Sequence, residues 1–256
     1  MLYTDVIALK TIVRKEVTRI LRIWTQTLLP PLITQTLYFL IFGKFIGAQI
    51  ASIRGVTYMS FIVPGLVMMG VIGSSYGNVV SSFFGAKFQR SIEEILVSPA
   101  PNWVILAGYV TGGVVRGTVV GALVFGISCF FTHPAIYNIW AVLFFMTVTA
   151  VLFSLGAFIN GIFARNFDEV AFFQNFILTP LMYLGGVFYS IHSLPAFWQK
   201  ASLLNPLVYM INGFRYGFYG FSDVHLAVSA AILAVLTVAL TALCLWLLKK
   251  GIGIKN

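Results

Sequence analysis

The chain has 256 residues, of which 59% are hydrophobic and 9% are charged. Soluble globular domains carry about 25% charged residues, so the composition excludes a soluble fold and predicts an integral membrane protein. The formal net charge of +9 would suit a nucleic-acid-binding protein if the basic residues shared one solvated face, but here they flank apolar runs. We therefore expect contact with membrane lipids and none with nucleic acid.

The first segment, residues 4–22, has the pattern of a basic amphipathic helix. Its apolar residues recur at spacings of three and four and so form one stripe. The stripe consists of Val6, Leu9, Val13, Val17 and Ile20. The opposite face carries Arg14, Lys15, Thr18, Arg19 and Arg22. This pattern predicts an interfacial helix that lies in the plane of the lipid headgroups.

Six longer apolar runs predict membrane-spanning helices, because about 20 apolar residues cross about 30 Å of hydrocarbon. The runs cover residues 23–42, 58–84, 103–131, 137–163, 170–189 and 225–248. We predict one all-α transmembrane domain over residues 1–256, with both termini on the same side.

The basic residues predict which side of the membrane each loop occupies, because Lys and Arg concentrate in cytoplasmic segments. One side would carry Lys10, Arg14, Lys15, Arg19, Arg22, Lys87, Arg90, Arg165, Lys249, Lys250 and Lys255. The other side would carry Lys44, Arg54, Lys200 and Arg215. Both termini are therefore predicted to be cytoplasmic.

Residues 194–221 fit neither a span nor a solvated loop. The segment is apolar and aromatic, yet Pro195 and Pro206 interrupt it and Asn205 and Arg215 make it polar. Irregular backbone at membrane depth occurs only where protein or a water-filled cavity shields it. We predict two short re-entrant helices on the outer side.

The polar link "KFQRSIEEILVSPAP", residues 87–101, has a helical pattern over residues 87–97. Its apolar residues Phe88, Ile92, Ile95 and Leu96 share one face, which leaves the paired carboxylates of Glu93 and Glu94 on the other. Two interpretations stay open: a docking helix for a partner, and a solvated loop that marks the membrane boundary. Adjacent helical residues diverge by 100°, so acid–base chemistry on one substrate atom is not expected of this pair.

Three stretches resemble the permease subunit of type-2 ABC exporters, in particular bacterial two-component exporters with a separate ATPase subunit. They are "LLPPLITQTLYFLIFG", "IEEILVSPAP" and "LTPLMYLGGVFYSIHSLPAFWQKASLLNPLVYMINGFRYG". The resemblance implies a homodimer of six-helix subunits in the bacterial inner membrane, docked onto two copies of a cytoplasmic ATPase. ATP would bind to the ATPase and no cofactor to this chain, whose 256 residues contain no G-x-x-x-x-G-K-[ST] motif.

The resemblance also implies roles for particular residues. The coupling helix toward the ATPase would use Gln89, Arg90, Glu93, Glu94 and Val97. The outer re-entrant motif would use Pro195, Asn205, Pro206 and Arg215.

Uncharged amides within or beside the spans are candidates for lining a transport pathway. They are Gln35, Asn78, Asn160, Gln174 and Asn175. Such groups also form hydrogen bonds between helices, so both roles stay open. Arg116, inside the third run, either faces protein or water within the membrane or lies in a part of the helix that protrudes from it.

Other function classes receive less support. An ion-coupled secondary transporter or multidrug efflux protein without an ATPase is the alternative, but that class keeps carboxylates or histidines at mid-membrane and the runs contain none there. His133, His192 and His225 are scattered without acidic partners in the sequence, so no metal site is expected. We see no catalytic constellation and no channel filter.

Overall fold

The computed structural model describes residues 2–50 and 52–253, without the side chains of Leu2 and Leu96. Lys255, counted among the basic residues above, lies outside the described residues. Over the described part the chain is helical and contains no strand, and Ile53 and Val56 form an isolated antiparallel bridge. The predicted all-α class is confirmed.

The helices follow one another along the chain with short connections. They are α1 (Leu2–Arg22), α2 (Trp24–Gln49), α3 (Tyr58–Phe88), α4 (Ile92–Val97), α5 (Asn102–Phe131), α6 (Ile139–Phe163), α7 (residues 167–183), α8 (Ala196–Ser202), α9 (Pro206–Tyr219) and α10 (Leu226–Lys250). Wider π-helical turns interrupt α2, α3 and α7 at Phe39–Ile46, Val80–Phe84 and Phe173–Leu178.

Five of these helices, α2, α3, α5, α6 and α10, are long and apolar enough to cross a membrane. The predicted run at residues 170–189 is not among these five helices. Its helix, α7, covers residues 167–183, which is about 25 Å at 1.5 Å per residue and falls short of about 30 Å of hydrocarbon. The helix ends before Gly186, whose φ of +79° is a left-handed conformation that favours glycine.

Helix α3 is the centre of the bundle and packs against α5 and α6. In the most apolar 18-residue stretch of α3, 83% of the residues are buried, against at most 50% in the corresponding stretches of the other four candidate spans. Pro64 lies inside α3 and has no N–H, so the carbonyl of Ser60 loses its usual helical partner. The Tyr219 hydroxyl donates to that carbonyl at 2.7 Å and so ties the end of α9 to α3.

The bundle has two chemically different ends. At one, which we call the basic end, α3 and α6 finish at Phe88 and Phe163, and the loop after α10 packs against Ile162 through Gly253. At the other, which we call the opposite end, the Ser60 hydroxyl near the start of α3 lies 2.7 Å from the Thr132 hydroxyl just after α5.

Candidate functional site

Helix α4 projects from the basic end and carries the paired carboxylates. All five residues of the predicted coupling set are exposed: Gln89, Arg90, Glu93, Glu94 and Val97. Ile92 is buried and holds the helix against the bundle. The surface therefore offers two carboxylates on a short, anchored helix.

The structure corrects the predicted start of this helix. The expected helix covered residues 87–97, but the observed one begins at Ile92. Arg90 has a φ of +59°, which ends the preceding helix, so Phe88 belongs to α3 and is exposed. A left-handed backbone at a non-glycine residue costs about 1–3 kcal/mol and needs support from the surrounding fold.

Lys87 connects the base of α4 to the end of α6. Its amino group donates to the carbonyls of Gly161 at 3.3 Å and Ala164 at 2.9 Å, and also to that of Ile162. The last carbonyls of a helix lack donors within the helix, and a cation there also suits the negative end of the helix dipole. Lys87 therefore ties the end of α3, just before α4, to the end of α6.

Helix α1 packs along α5 on a face that overlaps the predicted apolar stripe only in part, since Ile20 of the stripe is buried. Ile12, Glu16 and Ile20 are buried, whereas Val6 of the predicted stripe is 56% exposed. A side chain added at Gly108 would meet Ile12, and one at Gly112 would come 2.8 Å from the Cβ of Glu16. The small residues of α5 allow this close approach.

Glu16, which the sequence did not single out, is fully buried and lies at the centre of a polar cluster between α1, α3 and α5. Arg19 pairs with its carboxylate at 3.1 Å, and the Ser82 hydroxyl also donates to it. The same guanidinium donates to the side-chain oxygen of Asn78 at 2.9 Å. The cluster fixes α1 to the central helix.

Arg116 faces protein. It donates to the carbonyl of Thr27 at 3.0 Å. Pro31 stands four residues after Thr27 and has no N–H, so the helix itself cannot satisfy that carbonyl. Arg116 thus replaces the missing donor where α2 is interrupted by two prolines.

The five amides proposed for a pathway differ in burial and in their partners. Asn78 is buried in the Glu16 cluster, and Asn160 donates to the Tyr76 hydroxyl. Gln35 is buried in α2, Gln174 is half-buried and Asn175 is exposed. Tyr76 stacks on Phe173 and lines an apolar cavity of about 110 Å³ between α3, α6, α7 and α9. Asn78 and Asn160 therefore make contacts between helices.

The re-entrant motif forms two short helices, α8 and α9, at the opposite end. Pro195 is exposed just before α8, and Pro206 occupies the first turn of α9. Asn205 caps α9 by accepting from the Leu207 N–H at 3.0 Å, and it donates to the carbonyl of Leu181 at 2.8 Å. This asparagine joins α9 to the end of α7.

Arg215 on α9 is buried, with 1% of its surface exposed. Its guanidinium donates to the Gly186 carbonyl at 2.7 Å and lies 4.0 Å from the centre of the Phe61 ring. These contacts hold α9 against the loop after α7 and against α3.

Asp223, which the sequence pattern also did not single out, contacts residues of several loops near Arg215. Its carboxylate pairs with Arg54 at 2.9 Å and accepts from the Ser190 hydroxyl at 2.8 Å. His192 lies 4.0 Å away, so the expectation that this histidine has no acidic partner is wrong. Among the described residues no three His, Cys, Asp or Glu side chains converge as metal ligands.

A helical bundle with five helices long and apolar enough to cross a membrane is the architecture of a multi-pass membrane protein. A family model described as "ABC-2 type transporter" matches residues 7–219, from within α1 to the last residue of α9. The chain belongs to the ABC-2 type transporter family, which confirms the resemblance, and it is a transmembrane transporter permease.

One similar protein matches almost the whole chain, and two others match about 70% of it. The inner membrane transport permease YadH of Escherichia coli (strain K12) is 55% identical over 250 residues, 98% of each chain. Nodulation protein J of Rhizobium meliloti (strain 1021) is 21% identical over 180 residues, 70% of this chain and 69% of its own. Nodulation protein J of Sinorhizobium fredii (strain NBRC 101917 / NGR234) is 24% identical over 181 residues, 70% and 68% of the two chains.

Proposed function

We propose that the protein is the transmembrane permease subunit of an ATP-driven exporter and couples to a separate ATPase through α4. The observation that supports this most is the exposure of Glu93 and Glu94 on a helix anchored to two spans. Charged groups at the rim of an interface guide association and orient the partner. ATP would bind to the partner and no cofactor to this chain.

The coupling mechanism follows from the contacts of Lys87. Closure of the ATPase subunits would displace α4, which is joined to the end of α3 by residues 89–91. The lysine bonds to the last carbonyls of α6 would move that helix with it. The expected result is a change in the access of a pathway between two permease subunits, with this chain supplying no chemistry.

For the topology we propose six membrane segments, with α7 as the sixth in addition to the five candidate spans. Its length of about 25 Å would be completed by α8 and α9, which lie at the opposite end as outer re-entrant helices. The basic end would face the cytoplasm together with both termini and α1, which would lie at the interface. The name of the 55% identical relative supports the bacterial inner membrane.

We further propose a homodimer with two ATPase copies. In the single chain, large apolar side chains are exposed on α2 and α7, for example Ile33, Leu37 and Phe176. One part of this surface would contact lipid and another the second subunit. The transported substrate would move between the subunits, and an apolar path suits lipids, amphipathic drugs or lipid-linked glycans alike.

The experiment is co-purification of the tagged permease from native membranes under gentle detergent and crosslinking. The test variant is Glu93→Lys/Glu94→Lys, and the control is Asp168→Lys, a charge reversal on the exposed first turn of α7. We expect an ATPase with the wild type and the control but not with the test variant, at equal permease levels. Failure to recover any ATPase, or its equal recovery with the test variant, would contradict the proposal.

The alternative of an ion-coupled transporter gains no support from the buried carboxylates. Glu16 and Asp223 are each paired with an arginine, at 3.1 Å and 2.9 Å. The arginine compensates the charge of each carboxylate, so neither is free to bind a coupling ion.

A further inference from the structure

A cavity of about 700 Å³ lies beside α4 at the basic end and is open to the outside. It lies between the base of α4, the end of α6 and the loop after α10. Among the described residues, three cations line it, Lys87, Arg90 and Arg165, against the single carboxylate of Glu93. The volume is within the range of about 300–1,000 Å³ typical of sites for small ligands.

The side chains of two of these cations, Arg90 and Arg165, are available to bind a ligand. Lys87 donates to three carbonyls, but neither Arg90 nor Arg165 makes a side-chain hydrogen bond or an ion pair with the part of the chain that the structure describes. Both are exposed. Guanidinium groups bind phosphate oxygens in pairs of parallel hydrogen bonds, which makes a phosphate group their natural ligand.

The remaining lining is apolar and lies at the level where two candidate spans finish. Phe88 and Phe163 are the last residues of α3 and α6, and both are more than half exposed. Phe84 and Ile162 line the inner wall. An anion beside phenyl rings at the end of a span matches a phospholipid, whose phosphate and acyl chains meet at this depth.

We propose that this cavity binds the headgroup of an anionic phospholipid, with Arg90 and Arg165 holding the phosphate and the phenyl rings contacting the first part of the acyl chains. Basic pockets between helices at this membrane face bind such headgroups in other membrane proteins. A bound lipid would also stabilise the junction between α4 and α6. The proposal rests on the proposed topology, with the basic end at the cytoplasmic face, but does not depend on an ATPase partner.

The test measures lipid binding to the purified permease, without any ATPase, by native mass spectrometry. The probes are dioleoyl phosphatidylglycerol, dioleoyl phosphatidylcholine and inorganic phosphate. We expect selective binding of phosphatidylglycerol, and binding about thirty-fold weaker in Arg90→Ala/Arg165→Ala, since each cation near anionic lipid contributes about a fivefold effect.

Two matched variants separate charge from folding. Arg90→Lys/Arg165→Lys keeps both charges and is expected to retain most of the affinity. Lys15→Ala/Arg22→Ala removes two exposed cations from α1 and should leave it unchanged. Three results would each overturn the proposal. They are equal binding of the two lipids, full affinity for phosphatidylglycerol in the double alanine variant, and competition by inorganic phosphate as strong as competition by phosphatidylglycerol itself.

The same variants also distinguish a lipid from a protein occupant. If the double alanine variant binds phosphatidylglycerol normally but no longer co-purifies with an ATPase, the cavity is part of the ATPase contact and the lipid proposal is wrong. If no ATPase is recovered with the wild type while the lipid results hold, only the proposed function fails.

Discussion

The ion pair between Glu16 and Arg19 gives the sharpest test of how α1 is held in place. The Glu16 side chain is fully buried and that of Arg19 is 26% exposed, with 3.1 Å between their nearest charged atoms. Removing one member of a buried pair costs about 3–5 kcal/mol, because the other charge stays behind without its partner. Replacing both members by apolar residues often costs little.

We therefore expect strongly non-additive effects of Glu16→Leu and Arg19→Leu on the free energy of unfolding. Glu16→Leu should cost about 3 kcal/mol, at the lower end of the range because Arg19 is partly solvated and keeps its bonds to Asn78. Arg19→Leu should cost about 4 kcal/mol, because it leaves a fully buried carboxylate. The double variant should cost at least 2 kcal/mol less than the sum.

The assay is unfolding of each purified variant in mixed micelles of a mild detergent and dodecyl sulfate, followed by tryptophan fluorescence. Lys15→Leu, at the exposed neighbouring position, serves as the control and should change the free energy by no more than about 0.5 kcal/mol. Additivity of the two single variants within about 0.5 kcal/mol would refute the reasoning, because it would show that the two charges do not interact.

Three further predictions concern contacts between helices. Arg116→Leu should destabilise the fold by about 1–3 kcal/mol because it leaves the Thr27 carbonyl without a donor, and Arg116→Lys should recover part of the loss in the same unfolding assay. Gly112→Val should loosen α1 and speed tryptic cleavage at its basic residues, whereas Gly126→Ala in the same helix, where a Cβ meets nothing within 4 Å, should not. Asp223→Asn should cost about 2–4 kcal/mol, since Arg54 loses its counterion and Ser190 its charged acceptor, and a change below about 0.5 kcal/mol would contradict that account.

The sequence by itself predicts the helices of this protein whose apolar patterns are long and repetitive. Runs of about 20 apolar residues predict helices without reference to any partner, because each must satisfy its own backbone in lipid. The breaks at Pro195 and Pro206 likewise predict short helices, and α8 and α9 confirm this secondary structure. The exposed charges of the coupling set follow from their polarity.

Only the tertiary structure decided which polar residues work together. Glu16 stands among basic residues on an amphipathic helix, and nothing in the local pattern shows that Gly112 lets it approach α5. Arg116 and Tyr219 satisfy carbonyls exposed by prolines that are 85 and 155 positions away in the chain, as the numbers of Pro31 and Pro64 show. The left-handed backbone at Arg90 makes α4 shorter than predicted, and Asp223 pairs with Arg54, which stands far earlier in the chain. Helical periodicity reports one face of one helix, whereas these contacts depend on how separate helices pack against one another.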